Sequence, residues 1–226
     1  MCTGPSCATL EQKQSAALEE LTSGNTEAAV ILLRECVAFI ETNYGESSLE
    51  MAQALFTLAL GLFRQERNDG ENLNEIEMHA LRALSIRQLL RGRVDPSVGI
   101  TAGFLGSVYA LKAEWAKAEE MFRLSLKNAI ILVGTSHINT AREQLNVANM
   151  ILNLGGDAVE ATELCRCAIK TYLRFYGAED SLTKSAISLL SSVLSFNKSE
   201  NSVDDILRQI LETQGTEAAP SQHSMR

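Results

Sequence analysis

One glycine step recurs four times along this chain, as Tyr44-Gly45, Arg91-Gly92, Val133-Gly134 and Tyr176-Gly177, at spacings of 47, 42 and 43 residues. Each step ends one helix-like stretch and opens another. Self-similarity at this period marks a stack of helical hairpins, because a lone hairpin cannot bury both of its faces. Aligning on the glycine extends the repeat. Seven residues on stand Ala52, Gly99, Ala141 and Lys184; thirteen on stand Leu58, Leu105, Val147 and Leu190. Fourteen on stand Ala59, Gly106, Ala148 and Ser191, small each time, as close helix contact requires. Sixteen before lie Ala29, Ile76, Ala118 and Ala161, and eight before lie Val37, Leu84, Leu126 and Ile169. The longer first spacing is assigned to Asn68-Asp69-Gly70-Glu71-Asn72, read as a polar turn, since insertions fall in loops. The predicted class is all-α, built of antiparallel helix hairpins.

Helices are expected over 8–21, 26–43, 48–65, 74–90, 96–112, 114–132, 138–153, 158–175, 181–196 and 203–213. Their signals are local. Asp95 can cap a helix whose first turn takes Pro96, Gly155-Gly156 is a stop, and Asp157 can cap the next helix. Within 203–213, Val203, Ile206, Leu207, Ile210 and Leu211 recur at helical spacing, which suggests a helix closing the open end of the array. Residues 8–213 therefore read as a single repeat domain, with repeat boundaries near 45, 92, 134 and 177. Residues 1–7 and 214–226 read as disordered tails.

Charge and motif content exclude several functions. The net charge is −8 and the Lys and Arg residues are dispersed, which argues against nucleic acid and against an anionic membrane surface. No run reaches the roughly 18–20 apolar residues of a membrane span, and residues 1–10 lack the basic start and apolar core of a signal peptide. Five cysteines, at 2, 7, 36, 165 and 167, form no disulfide framework, so a reduced cytosolic compartment is expected. Cys165-Arg166-Cys167 falls on a helix and points its two thiols to different faces; no zinc site, metal or cofactor is expected. Leu154-Gly155-Gly156-Asp157 lacks the Lys and Ser or Thr of a phosphate loop, and neither H-E-x-x-H nor G-x-S-x-G occurs. A non-enzymatic protein is the expectation.

The repeat resembles the tetratricopeptide repeat (TPR), in the longer form of about 42 residues found in kinesin light chains. Gly134-Thr135-Ser136-His137-Ile138-Asn139-Thr140-Ala141 carries that family's glycine, His and Ala, and Gly92 to Val98 carries its glycine, Pro and Val. Leu58-Ala59 matches its Leu-Ala, and Trp115-Ala116-Lys117-Ala118-Glu119 its second-helix start. The resemblance covers about residues 24–196 and implies a right-handed α-solenoid, a TPR-like superhelix, that holds other proteins. His137 then stands where the family has a structural His. One departure concerns the asparagine that lines the family's peptide groove. Its position holds Thr57, Phe104, Asn146 and Leu189, so only Asn146 matches.

In that fold the first helix of each hairpin, the A helix, lines a concave face. One stripe of it projects Gln53, Thr57, Leu60 and Arg64, then Ile100, Phe104, Ser107 and Leu111. It continues with Arg142, Asn146, Asn149 and Asn153, and then Ser185, Leu189, Ser192 and Phe196. The groove expected to bind a peptide or partner helix comprises Gln53, Thr57, Arg64, Phe104, Ser107, Arg142, Asn146, Asn149, Asn153 and Ser192. Arg142 to Asn153 stands out, because asparagine amides both donate and accept and so can hold an extended backbone. A solvated face and an intramolecular contact are the alternatives. At the level of function, an adaptor for another protein stands beside a structural subunit of a cytoskeletal or ciliary assembly, with an enzyme of unrecognised site behind both.

Overall fold

The structure, a computed structural model, describes residues 5–65, 69–197 and 202–217. The four repeat glycines share one backbone state, with φ of 82°, 82°, 88° and 82° at Gly45, Gly92, Gly134 and Gly177. The accompanying ψ is 169°, 175° and 176° at Gly45, Gly92 and Gly177. This corner of backbone space is essentially closed to residues with a Cβ. The glycines recur because each hairpin-to-hairpin joint needs that state.

Among the described residues the chain forms ten helices and no strand. They are α1 (Pro5–Ser23), α2 (Thr26–Tyr44), α3 (Leu49–Phe63), α4 (Gly70–Arg91), α5 (Pro96–Leu111), α6 (Trp115–Val133), α7 (Ile138–Leu154), α8 (Ala158–Tyr176), α9 (Ser181–Asn197) and α10 (Val203–Glu217). Side-chain caps open most of them. Ser48 accepts from the Met51 amide, Asp95 from Ser97, and Asp157 from Val159 and Glu160. His137 caps α7 by accepting from the Asn139 amide at 3.1 Å, so its local role is to start a helix.

Three boundaries differ from the sequence reading. The stretch expected as a turn before α4 is partly helical: α4 starts at Gly70, and the Asp69 carboxylate accepts from the Asn72 amide at 2.8 Å. An aspartate at the cap with Glu71 in the first turn suits a helix N-terminus, and this outweighs the poor helix propensity of glycine. Asn68 lies outside the described residues. The first helix begins at Pro5, inside the stretch expected as a tail, since proline is accommodated in a first turn. At the other end α10 runs on to Glu217.

The chain divides into two compact units, Met1–Asn128 and Ala129–Arg226. In the first, α1 to α5 pack in sequence order as neighbouring antiparallel helices, and the start of α6 follows. Ala29, Met51, Ala52, Leu55, Leu58, Ala59, Ile76, Ala80, Ala83, Val98, Ala102, Leu105 and Val108 are all but completely buried. Two glycines of α5 permit close approach to α6: a Cβ at Gly106 would stand 2.7 Å from the Phe122 ring, and one at Gly99 2.9 Å from Asn128. The side chain of Asn128, which is 1 % exposed, pins the preceding joint by donating to the Arg93 carbonyl at 3.1 Å and accepting from the Asp95 amide at 3.0 Å.

In the second unit α7, α8 and α9 pack in order, and α10 rests on α8 and α9 through Ile206 and Ile210. Ala141, Val147, Ala148, Ala161, Ile169 and Leu190, at positions that the repeat alignment marks, fill its core together with Ala186. The last hairpin breaks the small-residue rule in one respect. Lys184 and Ser191 are exposed, whereas their counterparts in α3, α5 and α7 are buried. Of the expected apolar stripe on α10, Ile206 and Ile210 are buried and Leu211 is 57 % exposed, so only part of that face is covered.

Candidate functional site

The first unit carries a pocket of about 630 Å³ whose walls come from α1 to α5. Its lining includes Leu10, Gln14, Ile40 and Tyr44, together with the charged side chains Glu11, Glu50, Arg87 and Arg91. Of the expected groove residues in this unit, Gln53 lines the pocket.

Arg87 organises this region. It lies on α4, the second helix of its hairpin, and is only 4 % exposed. Its Nη1 donates to the Ser97 carbonyl at 3.2 Å and to the Thr101 hydroxyl at 2.5 Å, both on α5. Its Nη2 donates to Oε1 of Gln53 on α3 at 2.9 Å. The guanidinium carbon stands 4.6 Å from the centre of the Phe56 ring, a cation–π contact. Every oxygen it meets in these bonds is neutral, and it forms no ion pair with any described carboxylate; Asp95 acts on it only at a distance. Burial accordingly pulls its pKa below the ordinary guanidinium value. Arg91, one helical turn on, is half-exposed and faces Asp95 at 3.7 Å.

Three of the remaining expected residues of this unit, Thr57, Ser107 and Phe104, have partners within it. Thr57 donates to the Gln53 carbonyl at 2.9 Å, and Ser107 to the Gly103 carbonyl at 3.2 Å. Arg64 is exposed at the C-cap of α3. Phe104 meets Phe56 and Phe63 edge-on, with ring centroids 5.6 and 5.4 Å apart, so its ring extends the core between α3 and α5.

In the second unit the asparagine rail is engaged within α7. Arg142 pairs with Glu143 at 2.9 Å, and the Asn146 amide donates to the other oxygen of the same carboxylate at 3.1 Å. Asn153 donates to the Asn149 carbonyl at 2.8 Å. Glu143 is 3 % exposed, so this stripe is built around a buried carboxylate that the one-stripe projection left out. Arg142, Asn149 and Asn153 are exposed and Asn146 is half-buried, which leaves Asn149 and the far side of Arg142 open to a partner. Ser192 is exposed on α9 and donates to the Ser188 carbonyl at 3.1 Å.

Cys165 is buried and its thiol is pushed up to about 12 by that burial, whereas Cys167 is half-buried on another face. Among the described residues no group of three or more His, Cys, Asp or Glu is placed to hold a metal ion. No described helix is long and apolar enough to cross a membrane.

No protein-family model matches the sequence, and no curated protein matches it. Solved structures do. The nearly identical TPR-like repeats of a Podosopora anserina protein assigned as a kinesin light chain superpose with a TM-score of 0.72 at 16 % identity, covering 97 % of this chain and 100 % of that one. A point variant of the same protein gives 0.72 at 17 %, covering 96 % and 99 %. BtubC (BKLC) from P. vanneervenii gives 0.70 at 14 %, covering 97 % of this chain and 85 % of the other. At these identities the likeness lies in the fold: the chain has the TPR-like helical-repeat fold of these structures.

Proposed function

We propose that this chain is a non-enzymatic scaffold that binds a segment of another protein, a peptide or a partner helix, on the face lined by its A helices. The observation that carries this reading is the pocket of about 630 Å³ in the first unit, where Gln53 of α3 meets charged side chains from α1, α3 and α4. TPR-like hairpins present such faces as extended binding surfaces. An open, mixed-charge pocket with apolar walls at Leu10 and Ile40 suits a peptide better than a small apolar ligand. Exposed Asn149 and Arg142 extend the same chemistry to the second unit.

Affinity capture from the source cell tests this. Wild type is compared with Gln53→Ala and with Asn149→Ala, each retaining its helical circular dichroism. A scaffold of this kind loses its principal partner with one or both variants.

A second reading, a subunit of a multi-subunit assembly of cytoskeletal or ciliary type, is favoured by large apolar side chains open to solvent. Leu89 is 77 % exposed, Ile100 61 % and Val159 72 %. Such a subunit uses broad surfaces, so its partners survive single substitutions in the pocket.

A further inference from the structure

The second unit leaves large apolar side chains uncovered along the edge where its hairpin joints lie. The last turn of α6, which belongs to this unit, carries Ile131, Leu132 and Val133. The last turn of α8 carries Phe175 and Tyr176, and the first turn of α9 carries Leu182. All six are 42–55 % exposed. Chain topology gathers them. α7 and α8 pack as neighbours across a short loop, so the end of α8 lies beside the start of α7. The joint at Gly134 ties the end of α6 to that same place, and the buried Thr140 hydroxyl fixes the joint by donating to the Gly134 carbonyl at 2.7 Å. Tyr176 rests against the ring of the buried Tyr172, with centroids 5.7 Å apart. The fold does not require apolar side chains here. At the position two before the repeat glycine, occupied in this unit by Leu132 and Phe175, α2 carries an exposed asparagine, Asn43.

We propose that this edge is a self-association surface, on which a second copy of the chain docks about a two-fold axis passing by Phe175 and Tyr176. The proposal goes beyond the scaffold reading and does not depend on it, since neither the pocket of the first unit nor Asn149 belongs to the edge. Its size fits. Large side chains bury on the order of 150–200 Å² when fully covered, so these six offer on the order of 500 Å² to a partner. A standard interface takes about 800 Å² from each side, roughly 60 % of it apolar, which is about the same area. The charges at the rim favour a second copy. Arg174 is exposed and forms no ion pair with any described residue; its guanidinium carbon stands 5.9 Å from the centre of the Phe175 ring. Glu179, on the other side of Phe175 and Tyr176, is almost fully exposed beside Lys184. A two-fold interface sets each patch against itself, so a residue on one side of the axis meets the residue on the other side of it in the second copy. Arg174 of each copy then faces Glu179 of the other, while apolar side chains meet at the centre.

Sedimentation velocity of the full chain, from about 1 to about 200 μM, tests this. Wild type is expected to show a reversible monomer–dimer equilibrium within that range. Phe175→Lys and Leu132→Lys place a charge at the centre of the contact, on exposed helix ends that tolerate a cation, and each is expected to weaken dimerisation by at least about tenfold with circular dichroism unchanged. Arg174→Glu and Glu179→Arg are each expected to weaken it by a smaller factor, and the two together to recover most of the loss, because the swapped pair restores the cross-axis contact. A folded wild type that stays monomeric over the whole range overturns the proposal. So does a dimer that keeps its affinity in both lysine variants, since its interface then lies elsewhere. A double charge swap that recovers nothing overturns the two-fold pairing.

Discussion

At the scale of single residues, the repeat glycines are the feature that sequence exposed most fully. Their spacing was visible, and the backbone supplies its cause in a conformation that a Cβ forbids. No atom lies within 4 Å of a Cβ built at Gly177, so Gly177→Ala reports backbone strain alone. Its expected cost is about 1–3 kcal/mol, read as a lowered melting temperature. Gly70→Ala is the control. It stands at a helix start with open space around it, and alanine there is expected to leave stability unchanged or raise it by up to about 1 kcal/mol. Asp95 gives a pH dependence. The Ser97 hydroxyl and amide, with Arg91, hold its carboxyl below the usual carboxylate range. The fold therefore favours the charged form. That contribution is complete above the unfolded carboxylate pKa of about 4 and is lost as the pH falls through the lower folded value. Asp95→Asn is expected to flatten the acid limb of a plot of melting temperature against pH. Arg87 was not legible in this way. In sequence it is one more arginine on a helix, and its partners lie 34, 10 and 14 residues away.

At the scale of elements, the repeat alignment marked the buried helix faces, because those positions face a neighbouring helix in nearly every hairpin. Gly106 shows why they stay small. Gly106→Ala drives a Cβ into the Phe122 ring and is expected to cost about 1–3 kcal/mol, with Phe122→Leu in the same chain recovering part of the loss. Asn128 shows what the alignment missed. It stands at none of the aligned positions, yet it is the clamp on the joint between α4 and α5. Asn128→Ala leaves the Arg93 carbonyl and the Asp95 amide without that partner, and a loss of about 2–3 kcal/mol in denaturant unfolding is expected. The start of α4 was misjudged for a related reason. Gly70 and Asn72 read as turn residues, but the same polar side chains that make turns also cap helices. The exposed Lys184 and Ser191 mark a face of α9 that α10 leaves open.

At the scale of the whole molecule, hairpin repetition carried the fold, and solved structures of TPR-like repeats match nearly the full chain. The candidate site was legible only in part. The stripe projection included Gln53, which lines the pocket, but it followed A helices alone and so passed over Arg87, which arrives from the neighbouring helix α4. It likewise found Arg142 and Asn146 but not the buried Glu143 that holds them. Sites of this kind are made by side chains from several elements converging in space, which a one-helix periodicity cannot see. The most direct test of the scaffold is a comparative affinity capture with mass spectrometry, using wild type and a Gln53→Glu, Asn149→Ala double variant of unchanged circular dichroism. The account predicts that a discrete partner present with wild type is lost with the variant. A stoichiometric set of proteins that survives intact with the variant would contradict it and place binding on the outer surfaces.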